Sequence, residues 1–591
     1  MLENGNLSGN AQEPRCITVP NLTPIKEIPL YDDMRGLLDG MTEQYGDDAC
    51  FIIKTRRGTR KAPAEYKRIS FRQQREDVDA FGAALLRLGL KGKRLAIIGK
   101  NRYEWMLAYY SFMCGLGVIV PLDKGLPFDE TELSLQRAKA DALCFDKELE
   151  PLAASLRDSG KFPDMTFICM EPCEGWLDVP SLTEQGRADA SALAEYKELP
   201  IDGKALSIIL FTSGTSGLAK AVMLSQYNIT YNAKDVLSTE DLRCGDVNMA
   251  FLPYHHTFGS TGQVMMSLAG MTSVFCDGLK YIQRNIVEYK VSVFICVPLL
   301  IESIYKKIMQ EIEKQGKMKT FRTGVKISRL LLRLGIDVRR KIFKEIHEKL
   351  GGSLRFVISG ASPLDPAVAQ GFTDLGISVV QGYGMTETSP VLAGENPEHL
   401  RIGTIGWAMP GVELRVEDPN EEGIGELVAR GGNVMLGYYE NEEATAEIFR
   451  GGWLHTGDLA SVDADGYVTI RGRAKNVIVL KNGKNIYPEE LEQEIGELPY
   501  VSECMVFGEP RRHDGDHKDL VVCVKIVYDA GRIKETRGAG TPEQIEAAVA
   551  EDIERINDEM PSYKHIYRRY ISDEPMEKTT TGKIKRYKQK I

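Results

Sequence analysis

From residue 95 onward the chain alternates short apolar runs with amphipathic stretches, and this rhythm limits its possible folds more than any other feature. LAIIG at 95–99 precedes a helical pattern through Trp105, GVIVPL at 117–122 precedes another through Leu135, and ALCF follows at 142–145. Apolar runs too short for helices, separated by stretches of helical period, predict a sheet with helices on its faces. The pattern continues through SIILFT at 207–212, a strand near 273–276, VSVFICVP at 291–298, LRFVISG at 354–360 and SVVQGYG at 378–384. Several runs end in glycine-rich turns, and in such sheets ligands bind at the carboxyl ends of strands.

After Gly403 the texture changes to short β-like pieces, GVELRVED and GELVARG, closed by DADGYVTIRGR, which predicts an antiparallel or barrel-like subdomain. Beyond Lys475 the α/β pattern returns: NVIVLKNG, a helix from Pro488, MVFGEP, LVVCVKIV, a helix from Pro542 and a basic tail. A chain of 591 residues exceeds one compact core. The expected organisation is an α/β protein with a polar tail over 1–30, a large domain of α/β subdomains over 31–473 and a small α/β domain over 474–591. The β-rich, barrel-like part falls at about 403–473 within the large domain.

The formal charge of -10 argues against a nucleic-acid partner, because phosphate-backbone binding needs a concentrated basic surface. Eleven cysteines, an odd number with no C-x-x-C pair, fit reduced thiols better than a disulfide framework. Cys169 and Cys173 lack a second Cys or His pair and read as two thiols beside a strand end rather than a zinc site. The start, MLENGNLSGNAQEPR, has neither the basic nor the apolar region of a secretion signal. Apolar runs such as 291–301 contain proline or are too short to span a bilayer. A cytoplasmic location is expected.

The strongest chemical signal is the run Phe211, Thr212, Ser213, Gly214, Thr215, Ser216, Gly217, Leu218, Ala219, Lys220, directly after an apolar strand. Glycines let backbone N–H groups approach phosphate oxygens, the hydroxyls add donors, and Lys220 supplies positive charge. It is not a Walker A loop, whose G-x-x-x-x-G-K-[ST] spacing is absent. A flexible Ser/Thr/Gly linker is the bland alternative, but linkers seldom follow so apolar a strand.

Three further segments complete an ordered set: Gln381, Gly382, Tyr383, Gly384, Met385, Thr386, Glu387, Thr388; then GWLHTGD ending at Asp458, with Arg473 and Lys475 in RGRAK; then KTTTGKI around Lys583. In order and spacing this set resembles the acyl-adenylate-forming enzymes, most closely the bacterial long-chain fatty acid–CoA ligases, over about residues 95–583. The resemblance implies ATP as substrate, with Tyr383 near adenine, Thr386 on phosphate, and magnesium held at Glu387 with Thr212. A carboxylate beside a phosphate loop would repel ATP unless a cation bridged them, which suits Glu387 to that role. It implies that Asp458 accepts from both ribose hydroxyls, that Arg473 also reaches the ribose, and that Lys475 lies at a hinge about which the small domain moves. Lys583 is then the main catalytic residue, bonding the acid's carboxylate and the α-phosphate, because an attack of one anion on another needs positioned positive charge. Singly, each motif has an ordinary explanation: an Asx-cap, a solvated Arg–Lys pair, a basic tail with Lys585, Arg586, Lys588 and Lys590. The sequence departs from the family pattern at Ala219, where proline is common, at Ser216, where threonine is common, and just before Lys578, where a proline is missing.

LPYHHTFG at 252–259 matches the family's segment bordering the acyl site, and His256 is the residue assigned there, with His255 structural or exposed. No Asp or Glu occurs from Met249 to Cys276, so a substrate ammonium would find no partner, which argues for a plain carboxylic acid. Gly360, Ala361 and Ser362 are counted with the nucleotide site. With Pro363, Leu364 and the Val264, Met265, Met266, Leu268 stripe they are also expected to wall an apolar tunnel, although such a stripe is more often ordinary core. The segment 306–349 is rich in Lys and Arg, with an apolar side at Ile327, Leu330, Leu331, Leu332 and Leu334. With Asn101, Arg102, Tyr103, Glu104 and Trp105 it resembles the long-chain branch. It reads as a peripheral contact with anionic membrane, or equally as a core-packed helix with a solvated basic face.

The expected activity is two half-reactions: ATP and a long- or medium-chain fatty acid form acyl-AMP and pyrophosphate, then coenzyme A as co-substrate takes the acyl group and AMP leaves. Acyl carrier protein is the alternative acceptor, and a non-catalytic nucleotide- or lipid-binding sensor is the alternative from a different class. Homodimers occur among similar enzymes, but no segment here proves one.

Overall fold

The computed structural model describes residues 15–59, 62–212, 219–481, 483–511, 519–578 and 584–586. The predicted strands form two large, mostly parallel sheets. The eight-stranded sheet holds Lys93–Ile98 at its centre between Gly117–Leu122 and Ala142–Phe145, with Leu206–Thr212 next to Gly117–Leu122. Its parallel order reverses at one side, where Lys220–Ser225 runs antiparallel to Leu206–Thr212 and carries Gly437–Tyr438 on its far edge. The run 213–218 therefore joins an antiparallel pair, not a strand to a crossover helix; its own residues lie outside the described ones.

The nine-stranded sheet aligns Ser378–Gly384, Phe356–Gly360, Val293–Cys296, Val247–Ala250 and Thr272–Phe275 in parallel. Parallel strands covered on both faces must be apolar throughout, and Val293–Cys296 is buried at every position. Phe294 is fully buried, and truncating it to Ala would cost about 3–5 kcal/mol. The covering helices start where capping chemistry allows. Ser225 and Asn228 form a reciprocal capping box, and Thr541 with Gln544 forms another ahead of Pro542.

The β-rich segment is an open sheet, not a barrel. Val412–Glu417, Ile424–Gly431 and Trp453–Val462 form its middle, and Phe449–Arg450 and Val468–Arg473 both pair with Trp453–Val462. Its opposite edge is Cys16–Thr18, three residues long, and so short an edge cannot close a ring of hydrogen bonds. This strand comes from the predicted polar tail, in which Val19 and Leu22 are buried while Ile25 and Leu30 stay exposed. The sheet also recruits less than expected, since Trp407–Ala408 joins the nine-stranded sheet and Gly437–Tyr438 the eight-stranded one.

Past Lys475 a three-stranded sheet of Val501–Pro510, Leu520–Tyr528 and Ile566–Ser572 packs with the helices Pro488–Gly496 and Pro542–Asp558 around its own core. Ile566–Ser572 was missed in the sequence because IYRRYIS mixes apolar and cationic residues. Among the described residues no helix is long and apolar enough to cross a membrane.

Candidate active site

Contacts between the sheets join two groups of the described candidates, Asp458 with Tyr383 and Arg473, and Glu387 through Tyr438 with Lys220. Parallel register sets Gly360 beside Gly382, so Ala361 and Tyr383 leave the carboxyl edge of the nine-stranded sheet together. Ala361 holds φ +74°, a left-handed conformation that costs a non-glycine residue roughly 1–2 kcal/mol. Ala361 and Ser362 are exposed. A Cβ on Gly382 would meet nothing within 4 Å, whereas one on Gly384 would overlap the Pro390 carbonyl. Gly384 is thus required by packing, and Gly382 borders open space.

Asp458 is the centre of the polar site. Antiparallel register pairs it with Arg473 across the neighbouring strands. Arg473 Nε lies 2.8 Å from Asp458 Oδ1, the Tyr383 hydroxyl donates to Oδ2 at 2.5 Å, and Arg473 Nη1 donates to the Thr456 carbonyl at 3.1 Å. Asp458 is buried. Burial, with Asp458 alongside, pushes the Tyr383 phenol far up, so it stays a donor.

A second chain of contacts links Glu387 to the first loop. Glu387, buried in the short Thr386–Thr388 turn behind Met385, accepts from the Tyr438 hydroxyl at 2.8 Å, and its carbonyl accepts from Met435 N–H. Tyr438 stands opposite Val222 on the strand pair, and Lys220 Nζ lies 4.6 Å from its ring centroid. Thr212 faces Lys220 in register and donates to its carbonyl at 3.3 Å. Thr212 and Lys220 therefore bracket a loop whose Ser213, Gly214, Thr215, Ser216 and Gly217 lie outside the described residues. Tyr438 escaped sequence reasoning: in GYY it looks like ordinary strand filler, and only pairing with 220–225 brings it to Glu387.

Lys475 follows Arg473 in a short turn. Burial first, then the cations Arg473, Lys220 and Arg586, hold its ammonium below the usual lysine range against the opposing pull of Asp458. Lys583 lies outside the described residues, but Lys578 and Ile584 form an antiparallel bridge on either side of it. Arg586 anchors this end through Glu492 at 2.5 and 2.6 Å.

Gln381 and His256 are also among the described candidates. The Gln381 side chain is committed to the protein, accepting from Leu364 N–H at 3.2 Å and donating to the Thr404 carbonyl at 3.3 Å. His256 occupies the N-cap position of the Thr257–Leu268 helix without a side-chain cap bond, beside His255, ring centroids 4.1 Å apart. His255 turns toward Asp123, with Nε2 3.5 Å from Oδ2. The expected tunnel wall also differs. Val264, Met265, Met266 and Leu268 are packed in the core. The helix face that meets a cavity carries Phe258, Gly259 and Gly262, opposite Ala250, Leu252 and Ile295. That cavity has a volume of only about 10 Å³, room for at most one water.

Glu387 reaches the strands that flank 213–218 through Tyr438, and among the described residues no cluster of three or more His, Cys, Asp or Glu forms a metal cage. This donor set fits Mg²⁺, which keeps several waters and binds through one or two carboxylates plus substrate phosphates.

Residues 42–439 match the family described as AMP-binding enzyme, and 475–590 match the AMP-binding enzyme C-terminal domain. The chain is 30% identical over 480 residues to a long-chain-fatty-acid–CoA ligase of Mycobacterium bovis, covering 78% of each chain. It is 23% identical over 522 residues to a chloroplastic long-chain-fatty-acid–[acyl-carrier-protein] ligase of Arabidopsis thaliana, covering 76% of this chain and 72% of that one. Among solved structures it is similar to an anthranilate CoA ligase in complex with anthranoyl-AMP, with TM-score 0.72, 22% identity, and 95% and 97% of the two chains covered. It is also similar to ATP-bound MatB from Rhodopseudomonas palustris, with TM-score 0.71, 23% identity, and 94% and 98% covered.

Proposed function

The chain belongs to the AMP-binding enzyme family, and on that premise we propose that it activates a long-chain fatty acid with ATP and passes the acyl group to coenzyme A. In the first half-reaction a carboxylate oxygen attacks the α-phosphorus and pyrophosphate leaves; in the second the thiol sulfur attacks the acyl carbonyl, its proton passes to solvent, and AMP leaves. The observation that carries this is Asp458, a buried carboxylate held between Tyr383 and Arg473, the acceptor a ribose diol needs.

Residue roles follow from that anchor. Tyr383 covers the adenine side, with Gly360, Ala361, Ser362 and Gly382 alongside. Thr212, Lys220 and the intervening loop receive the phosphates, joined by Thr386. Glu387 would hold Mg²⁺ together with phosphate oxygens, which supplies charge neutralisation there. His256 borders the acyl site, and Lys583 bonds the carboxylate and α-phosphate while the anions approach. The 474–591 domain turns about Lys475 between half-reactions, a hinge motion that withdraws Lys583.

Acid-dependent release of AMP and pyrophosphate, measured over short, medium, long and aromatic acids with coenzyme A or acyl carrier protein, tests this. AMP release peaking on long chains with coenzyme A is expected. Turnover only with the carrier protein would move the activity to the class of the Arabidopsis relative, and no turnover at all would leave a nucleotide- or lipid-binding sensor. Peripheral membrane contact belongs to the same proposal.

A further inference from the structure

The small cavity beside Gly262 is not apolar throughout. Asn248, Tyr254 and Gln263 line it together with Ala250, Phe258 and Ile295. Asn248 is 3% exposed, and its Oδ1 has no hydrogen-bond partner among the described residues. Its strand, Val247–Ala250, lies inside a run of parallel strands, where an amide side chain is out of place. Burying an amide without a partner is costly, so such a group calls for a use.

The polar neighbours of Asn248 are already committed. Gln263 accepts from the Tyr254 hydroxyl at 2.9 Å, and its amide nitrogen donates to Ser267 at 3.1 Å and Ser273 at 2.9 Å. Parallel register sets Ser273 beside Asn248 on the next strand. The cavity of about 10 Å³ gives Asn248 room for one water, which an entering chain displaces.

The polar group lies at the far end from the nucleotide residues. Val247–Ala250 runs in the same direction as Ser378–Gly384, so its carboxyl end is on the sheet edge that carries Tyr383. Asn248 sits two residues behind Ala250, about 7 Å at strand rise. Phe258 lies at the near end, since a Cβ on Gly360 would come within 3.2 Å of its ring. A chain that enters past Phe258 and Gly262 therefore points its last carbons at Asn248.

We propose that Asn248 determines specificity for the acyl chain, selecting fatty acids with a hydroxyl on one of the last carbons over plain chains of the same length. The inference rests on the acyl-activating reading above. A hydroxyl both donates and accepts, so it satisfies either end of the amide, whereas a methyl end strands it. Charged ends do not suit the site. From Met249 to Cys276 the chain has no Asp, Glu, Lys or Arg, so a second carboxylate or an ammonium would be buried without an opposite charge.

The test is AMP release by the full chain with coenzyme A over matched sets, each plain fatty acid against its ω-hydroxy and (ω−1)-hydroxy forms at successive lengths. At the length that reaches Asn248, kcat/KM should favour a hydroxy acid roughly fivefold to a hundredfold. Shorter sets should favour the plain acid, because their hydroxyl stops among apolar side chains. Asn248→Leu, close in size, should bring the favoured ratio to one or below, and Asn248→Ser should keep part of it. The parent protein's own ratios test the proposal even where a variant fails to fold. A ratio of one or less at every length, or a preference that survives in Asn248→Leu, overturns the proposal and leaves acyl activation standing. No AMP release with any acid, plain or hydroxylated, overturns both.

Discussion

The Tyr383 hydroxyl donates to Asp458 Oδ2 at 2.5 Å, which ties the end of a parallel strand to the open antiparallel sheet. Arg473 occupies Oδ1 from the adjacent strand. Residues 75 positions apart are thereby joined in one cluster.

Asp458→Asn should weaken ATP binding with little effect on acid binding. A hydrogen bond to a charged group is worth about 1.5–3 kcal/mol, so one lost bond raises the ATP KM roughly tenfold to a hundredfold. Tyr383→Phe removes a donor but keeps the carboxylate, and its effect should be the smaller. An unchanged ATP KM in Asp458→Asn would remove this residue from the nucleotide site.

Glu387→Gln should raise the Mg²⁺ concentration needed for half-maximal ATP–pyrophosphate exchange. Loss of several kcal/mol of charge stabilisation should slow exchange on the order of a hundredfold. Tyr438→Phe removes only the 2.8 Å bond to Glu387 and should shift the Mg²⁺ dependence less. Magnesium titrations of the three proteins check this, and identical curves would count against Glu387 as the ligand.

Lys583→Ala should abolish adenylation while thioester formation from supplied acyl-AMP and coenzyme A persists. Two assays on one protein check it: exchange for the first half-reaction, thioester yield for the second. Equal loss of both would refute the division of labour.

Much of this was legible in the sequence, for a physical reason. Strands buried on both faces write continuous apolar runs, and each predicted run in the two large sheets corresponds to a strand. The strand end and turn at 381–388 were equally visible as a motif within one segment. Contacts made by pairing were not: Tyr438 reaches Glu387 only because Gly437–Tyr438 crosses to the eight-stranded sheet. The barrel-like expectation failed similarly, since alternation predicts strands without saying whether the edges meet. Gln381, inside a recognisable motif, turned out to hold Leu364 and Thr404.

Glu395 should make stability pH-dependent. It accepts the Gln381 N–H at 3.1 Å and the Arg401 N–H at 2.9 Å, so it supports the strand that carries Tyr383. Burial pushes its carboxyl from 4.5 up to about 8. The folded protein then keeps a proton that the unfolded chain releases, so this stability is fully present below about pH 4.5 and is lost as pH rises through about 8. Glu240, also buried and raised, adds in the same direction. The size is on the order of a few kcal/mol, one unit being about 1.36 kcal/mol. Thermal midpoints across this window should fall less steeply in Glu395→Gln than in the parent; equal slopes would assign the dependence elsewhere.

Gly262 should set how long an acid is accepted. It faces the cavity between the Thr257–Leu268 helix and the strands Val247–Ala250 and Val293–Cys296, and a Cβ there would meet only Ile295 Cδ1 at 3.5 Å. Alanine therefore fits, and a larger residue occupies space. Because the cavity is only about 10 Å³, a long chain enters only if neighbouring side chains move apart, and added bulk at 262 opposes that movement. Each methylene-sized change in an apolar pocket is worth about 1–3 kcal/mol. Gly262→Val should thus lower kcat/KM for long acids at least about tenfold relative to short ones. The ATP KM should not change, because Asp458 and Lys220 lie on other sheets. A uniform fall over all chain lengths would instead mark Gly262 as a packing residue and place the acyl chain elsewhere.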